Sequence, residues 1–228
     1  MRENIQRVPT GIPGFDRLIN GGFPKPSAIL LSGEPGSGKT TFAIQSLFYG
    51  AKTGENGLYL TCISEPTWVV QRFIATYRFY NKELVERGKI QFIDLGQNLI
   101  NDPESILTVI KEYVEKYLPA RFVIDPLTPV KNTWQKIGKT REKLHELLAY
   151  LKSLSSIIYL TSELSFHELH RNPESYLVDG IVYLSYPEEE KIRRKYIEVL
   201  KMRGTKHIMG RQLMDITRDG ITVQSGLT

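Results

Sequence analysis

The 228-residue sequence has one cysteine, Cys62, which excludes an internal disulfide and a cysteine-rich metal centre. No run of eighteen apolar residues occurs, so no segment is long enough to cross a bilayer as a helix. The first residues, Met1-Arg2-Glu3-Asn4-Ile5-Gln6-Arg7, lack the apolar stretch of a secretory leader. Internal repeats, low-complexity tracts and Pro/Gly/Ser-rich linkers are missing too. These absences predict a cytoplasmic protein with no membrane partner, folded as a single domain over 1–228. With 41% hydrophobic and 10% aromatic residues, the chain has enough to bury for a core without cross-links, which argues against disorder.

Charge is unevenly placed. Between Arg193 and Arg211 lie Arg193, Arg194, Lys195, Lys201, Arg203, Lys206 and Arg211 against the single acid Glu198, a net +6 where the whole chain carries +5. The remainder is therefore near neutrality, and a local basic arm points to a specific anionic partner more than to a generally cationic surface. The acids Glu188, Glu189 and Glu190 just before the arm offer a plainer use for it, pairing across an exposed hairpin.

Apolar runs alternate with amphipathic stretches at strand–helix–strand spacing. Ser27–Ser32 reads as a strand buried on both faces, and Leu58–Ile63, Ile90–Leu95, Phe122–Asp125, Ile157–Ser162, Gly180–Ser185 and Tyr196–Met202 follow the same pattern. Ile106, Val109, Ile110, Tyr113, Val114 and Tyr117 form a helical stripe, with Asp102 as expected N-cap and Pro103 at the first helical position. A second stripe runs through Leu144, Leu147, Leu148 and Leu151, with Thr140 as its expected cap. Near the C-terminus Asp219-Gly220 signals a hairpin turn. The pattern predicts an α/β fold: a mainly parallel central sheet flanked by helices, with C-terminal β-hairpins. Within it we expect a lead-in segment 1–26, a core 27–185 and C-terminal strands with the basic arm at 186–228.

Gly33-Glu34-Pro35-Gly36-Ser37-Gly38-Lys39-Thr40 fits G-x-x-x-x-G-K-S/T, directly after a strand and opening a helix that runs to about Lys52. The glycines let the backbone curl so that successive N–H groups point at phosphate oxygens, and the helix N-terminus adds its positive dipole end. Lys39 supplies a full charge near the β- and γ-phosphates, and Thr40 a hydroxyl for Mg²⁺. The expected nucleotide-holding set is Gly33, Pro35, Gly36, Ser37, Gly38, Lys39, Thr40 and Thr41. A second magnesium ligand should emerge from the end of a neighbouring buried strand, and Phe122-Val123-Ile124-Asp125 supplies it in Asp125. Capping of the turn that follows, which Pro126 opens, is the plainer use of that acid.

These residues and their surroundings resemble the KaiC-like ATPases of the RecA superfamily. Thr10-Gly11-Ile12-Pro13-Gly14-Phe15-Asp16-Arg17-Leu18 and Gly21-Gly22-Phe23-Pro24 are similar to the family's segment before the P-loop, and Ile124-Asp125-Pro126-Leu127-Thr128 to its Walker B strand. Glu174–Asp179, Lys201-Met202-Arg203-Gly204-Thr205-Lys206-His207 and Ile216-Thr217-Arg218-Asp219-Gly220-Ile221 resemble three later blocks, so the likeness runs from about Thr10 to Val223 as one KaiC-type domain. It implies a RecA-like core, ATP and Mg²⁺ binding, and a homo-oligomer, a hexameric ring by analogy, with ATP at subunit interfaces. It further implies that Lys201 and Arg203 act in trans on the neighbour's γ-phosphate, with Thr205 and His207 approaching the neighbour's nucleotide. That fits a basic arm awaiting an anion from elsewhere.

The sequence departs from the family at the carboxylate that activates the attacking water. Where the family has a Glu-Glu pair before Ser/Thr-Pro, Ile63 and Ser64 stand, with Glu65 one position later and directly before Pro66. Pro66 suits the first helical position, which would put Glu65 at the N-cap, where glutamate is disfavoured; we therefore expect Glu65 to serve as the base. Glu174–Asp179 also departs from the family's autophosphorylated segment, with Tyr176 after Ser175 where an adjacent Ser/Thr pair would be expected; a circadian role is therefore not implied, and Ser175 reads as a loop or helix-cap hydroxyl.

Other features carry less. His167 and His170 lack an evident third ligand, and Cys62 reads as packing. Glu163, ending a strand, either senses a γ-phosphate or caps the next segment. Trp68, Phe73, Tyr77, Phe79 and Tyr80 read as a helix packed on the sheet, and Lys131–Lys136 with Trp134 is weak evidence for nucleic acid. The reading is an ATP-binding protein, a Mg-dependent ATPase with a regulatory or signalling role and an unidentified protein partner. Its rivals are a RecA/RadB-like ATP-dependent DNA-binding recombination factor and an ATP-switched scaffold that hydrolyses little.

Overall fold

A computed structural model describes residues 5–62, 66–96, 102, 104–189 and 192–224. The chain begins with β1 (Arg7–Val8), α1 (Phe15–Leu18) and β2 (Phe23–Pro24). It then alternates through β3 (Ser27–Gly33), α2 (Lys39–Lys52), β4 (Gly57–Thr61), α3 (Thr67–Ile74), α4 (Lys82–Glu86) and β5 (Ile90–Asp94). Next come α5 (Ile106–Tyr117), β6 (Arg121–Asp125), α6 (Thr128–Lys136), α7 (Thr140–Ser153), β7 (Ile157–Ser162), α8 (Phe166–Leu169), α9 (Pro173–Leu177) and β8 (Gly180–Ser185). The remaining strands are β9 (Glu188–Glu189), β10 (Ile192–Arg193), β11 (Tyr196–Met202), β12 (Gln212–Thr217) and β13 (Gly220–Gln224).

Nine strands form one sheet in the order β13-β12-β11-β8-β3-β7-β6-β4-β5. The six from β8 to β5 are parallel and the last three antiparallel. The apolar runs explain this. In β3, Ile29 and Leu31 enter one core with Phe42, Phe48 and Tyr159, while Ala28 and Leu30 enter the other with Phe122, Trp134 and Leu144. A strand buried on both faces needs helices on both faces, which parallel crossovers supply. The leucine stripe of α7 is wholly in this second core, each side chain contributing about 1.5–3 kcal/mol by burial. No helix among the described residues is long and apolar enough to cross a membrane.

Two expected helix starts and one hairpin turn are corrected. The stripe at 106–117 begins at Ile106; Asp102 Oδ1 accepts from the Glu104 and Ser105 amides (3.1 and 3.2 Å) and so closes the turn before the helix. Pro103 lies outside the described residues. Thr140 is the first residue of α7 rather than its cap, which is Lys139 without a side-chain bond. The C-terminal hairpin loop is Arg218-Asp219, because Thr217 pairs with Gly220, already in β13.

The lead-in segment docks through Arg121, which is 1% exposed. Its guanidinium donates to Ser46 O (3.1 Å), Ser46 Oγ (2.7 Å) and Pro9 O (3.0 Å), and also to Glu55. Thr10 is held by Asp16, whose Oδ1 accepts from the Thr10 amide (3.0 Å) and hydroxyl (2.8 Å). Gly11 (φ +77°) passes so close to α2 that a Cβ there would lie 2.2 Å from Tyr49 Cγ. The motif Thr10–Leu18 is thus a docking device, and its glycines are required by contact as well as by backbone angle.

Candidate functional site

The P-loop leaves β3 at Gly33 and enters α2 at Lys39. Because β7 lies beside β3, β6 beside β7 and β4 beside β6, all parallel, their C-terminal ends gather on the same edge as the P-loop. A cleft of ≈ 260 Å³ opens there, lined by Pro35, Gly36, Lys39, Thr40, Tyr59, Thr61, Val70, Asp125, Pro126, Thr161 and Glu163. This is the crevice beyond the carboxyl ends of parallel strands where such sheets bind ligands.

Lys39 is 8% exposed, and its ammonium donates to the Gly33 and Glu34 carbonyls at 2.8 and 2.9 Å. Burial pulls it below the usual lysine range, while the carboxylates of Glu163, Asp125 and Glu34 oppose that shift. Asp125 is also 8% exposed; its Oδ2 accepts from Tyr59 (2.8 Å) and its Oδ1 from the Thr161 hydroxyl. The two bonds hold the carboxylate facing the cleft. Ser37 is buried in the loop, its Oγ without a hydrogen-bond partner among the described residues. A second hollow of ≈ 240 Å³, lined by Gly36, Gly38, Lys39, Thr40, Thr41, Tyr77 and Ile216, adjoins the other side of the P-loop.

Glu163 is exposed at the cleft and does not cap the next segment, where Ser165 and Glu168 form a capping box around α8. Glu65 lies outside the described residues. The premise used to place it is corrected, since Pro66 is the N-cap of α3 (φ −55°, ψ 146°) and Thr67 the first helical residue. The aromatic segment divides: Phe79 is buried and Tyr77 and Tyr80 pack against the core as expected, whereas α3 packs through Val70 and Ile74 and leaves Trp68 and Phe73 64% and 60% exposed. Cys62 is fully buried, which pushes its thiol up, as packing requires. Trp134 is wholly buried and Lys131 is paired with Glu174, so neither presents a base-stacking surface. Ser175 sits inside α9, buried, rather than in a loop or cap. His167 and His170 stand edge-on to Phe166.

The basic arm divides between the two ends of the sheet. At the P-loop end, Lys195 Nζ donates to Gly36 O (2.6 Å) and Tyr186 Oη to Pro35 O (2.8 Å), with the Lys195 ammonium 5.0 Å from the Tyr186 ring centroid. Partial burial lowers the Lys195 pKa. Sequence reasoning missed this pair, as it missed Tyr59 and Thr161. Arg193 meets Glu188 at 3.5 Å across the exposed β9–β10 hairpin, the plainer use foreseen for the arm. Lys201 and Arg203 lie at the opposite end. Lys201 pairs with Ile181 and Gly33 with Leu184 on β8, a separation of roughly 10 Å along the strand direction at ~3.3 Å per residue. Thr205 accepts from Arg7 Nη2 (3.0 Å), and His207 follows, half-buried, in the segment after β11. None of these four lines the chain's own cleft.

Comparison with known proteins gives a consistent result. The family described as "ATPase: KaiC" matches residues 8–228. The circadian clock oscillator protein KaiC of Prochlorococcus marinus subsp. pastoris is 30% identical over 98% of this chain and 46% of its own length. The UPF0273 protein MK0039 of Methanopyrus kandleri is 32% identical over 96% of this chain and 92% of its own. The chain thus spans about half the length of the curated KaiC relatives it matches. Among solved structures, the KaiC-like protein PH0186 of Pyrococcus horikoshii OT3 superposes with a TM-score of 0.85 at 31% identity, covering 97% of this chain and all of the other.

Proposed function

This chain belongs to the KaiC family of ATPases, and from that premise we propose that it binds Mg-ATP in the cleft and hydrolyses it as a ring of identical subunits in a regulatory role. The observation that carries the reading is the convergence of the P-loop, the buried Lys39 and the doubly held Asp125 on one cavity. The backbone amides of Gly36–Thr40 receive the phosphates, Lys39 exchanges its carbonyl partners for phosphate oxygens, and the hollow beside Tyr77 and Ile216 offers apolar walls to the purine. Asp125 and the Thr40 hydroxyl give hard oxygen ligands facing the cleft, which suits Mg²⁺. A magnesium ion held by these two groups would supply positive charge to offset that of the phosphates.

Hydrolysis then needs a carboxylate to orient water in line with the γ-phosphorus, a role we assign to Glu65. Glu163 stands at the cleft as a second carboxylate able to feel the γ-phosphate. The placement of Lys201 and Arg203 away from the chain's own P-loop supports their use in trans, since a head-to-tail contact brings one subunit's end of β11 to its neighbour's phosphates. Thr205 and His207, on the same segment, approach the neighbour's nucleotide.

Sizing with and without Mg-ATP, followed by turnover of the same samples, tests the reading. The wild type should assemble on nucleotide and hydrolyse it, and Glu65→Gln should assemble equally but turn over at least about 10²-fold more slowly; equal rates remove Glu65 as the base. A further expectation concerns the P-loop's outer contacts. Lys195 and Tyr186 hold the Pro35 and Gly36 carbonyls outward, which keeps the adjoining amides facing the phosphates. Lys195→Met should raise the KM for ATP several-fold, the cost of about 1 kcal/mol for one solvent-exposed hydrogen bond, with kcat little changed in steady-state kinetics.

A further inference from the structure

We propose that the buried ion pair between Lys131 and Glu174 is a positioning device that sets Lys201 and Arg203, an inference that rests on the trans role given to those cations above. Glu174 has a side-chain exposure of 0% and Lys131 of 16%. Lys131 lies on α6, which starts three residues after Asp125 and is tied back by the Lys131 amide to Leu127 O at 3.0 Å. Glu174 is the second residue of α9. Neither residue lines the nucleotide cleft, so the pair acts through other groups.

Those groups are held by α9 and the two residues that follow it, Val178 and Asp179. Lys201 Nζ donates to Ser175 O at 2.9 Å and to Val178 O at 2.7 Å. Arg203 donates from Nη2 to Tyr176 O at 3.1 Å and from Nη1 to Asp179 Oδ1 at 3.2 Å. The Glu174 carbonyl itself accepts from the Val178 amide at 3.1 Å, closing the turn that presents these carbonyls. Glu174 therefore grips α6 with its side chain and shapes the seat of both cations with its backbone. The result is a strut from the end of β6, where Asp125 sits, to the end of β11.

The energetics favour a geometric purpose. Desolvating two charges costs several kcal/mol, and a buried pair seldom adds net stability over an apolar contact. Here Glu174 Oε2, Ser175 Oγ and Trp134 Nε1 are also buried without hydrogen-bond partners among the described residues, so the polar cluster is only partly satisfied. Apolar side chains at this junction would let α9 slide along α6, whereas an ammonium–carboxylate contact fixes one register. What the pair supplies is direction.

The test uses the full chain. Lys131→Met/Glu174→Gln removes both charges together and so avoids leaving a buried charge unpaired, and Lys131→Arg keeps the pair. Glu174→Gln alone, leaving only the partly exposed Lys131 unmatched, is a second version with the same expected sign. The double variant should keep the wild-type KM for ATP while kcat falls about 10–100-fold, as expected for groups displaced by ~1 Å; Lys131→Arg should restore most of kcat. The double variant retains its own P-loop and Asp125. Mixed equally with Asp125→Asn chains, which supply well-seated cations, it should recover up to about a quarter of wild-type turnover per chain if subunits distribute randomly in a ring. Mixed with Arg203→Ala chains it should stay slow.

A double variant with wild-type kcat, or a loss that Asp125→Asn chains do not relieve although they do relieve Arg203→Ala, overturns the inference. Failure of Asp125→Asn and Arg203→Ala to complement each other removes the trans reading beneath it.

Discussion

Arg203→Ala is expected to slow ATP turnover by about 10³-fold, the lower end of what a charge-stabilising arginine contributes to phosphoryl transfer. On the proposed trans arrangement the KM for ATP should hardly move, because the phosphates would be held by another chain's P-loop. The structure gives a reason to expect a clean loss. Removing the guanidinium leaves Asp179 still paired with Lys152 at 2.8 Å and still accepting the Ala28 amide at 2.9 Å, so the seat at the foot of β8 survives. Lys201 keeps its two carbonyl partners, and burial already depresses its pKa, with Arg203 adding to that depression. Taking Arg203 away thus leaves Lys201, if anything, more firmly charged. The loss measured in steady-state kinetics belongs to Arg203.

Arg121→Met should instead lower stability, by about 3–5 kcal/mol, because it orphans buried acceptors that now share one charge. The guanidinium links α2, the lead-in loop and Glu55, and Tyr49 adds a ring 5.5 Å away. For a chain of this size such a loss lowers the Tm by roughly 10 °C or more. The contact lies on the α2 face of the sheet and none of its members lines the cleft, so turnover per folded molecule should stay near wild type. Calorimetry with activity measured well below the transition separates the two effects; a lost kcat with an unchanged Tm would place Arg121 in the site instead.

How much of this was legible in the sequence follows from what each feature depends on. The strands of the central sheet are readable because burial on both faces forces continuous apolar runs, as in Ser27–Gly33 and Ile157–Ser162. The P-loop is readable because its glycines, Lys39 and Thr40 are local in sequence. Asp125 is readable because an acid ending a buried strand has few other places to go. What was hidden depends on pairing between distant segments. Tyr59 and Thr161 become partners of Asp125 only because β4 and β7 flank β6. Lys195 reaches Gly36 across 159 positions, and no spacing rule encodes that contact. Local reasoning also erred where two small effects compete. Pro66 serves as N-cap rather than first helical residue, Thr140 enters α7 rather than capping it, and Trp68 and Phe73 face outward because Val70 and Ile74 suffice to seat a helix of eight residues. The basic arm was visible as a sum; its division between the chain's own P-loop and the far end of β11 required the antiparallel register with β8.

The central claim is that one chain grips the triphosphate while its neighbour lends the cations. Mixing two inactive proteins tests it most directly: Asp125→Asn, sound at the end of β11 but unable to hold the metal, and Arg203→Ala, sound in the cleft but lacking the donated charge. Equal amounts combined with Mg-ATP should turn over far faster than either alone, because some interfaces then hold one intact half from each. A mixture no faster than the average of its parts would mean that each chain completes its own site, contrary to this account.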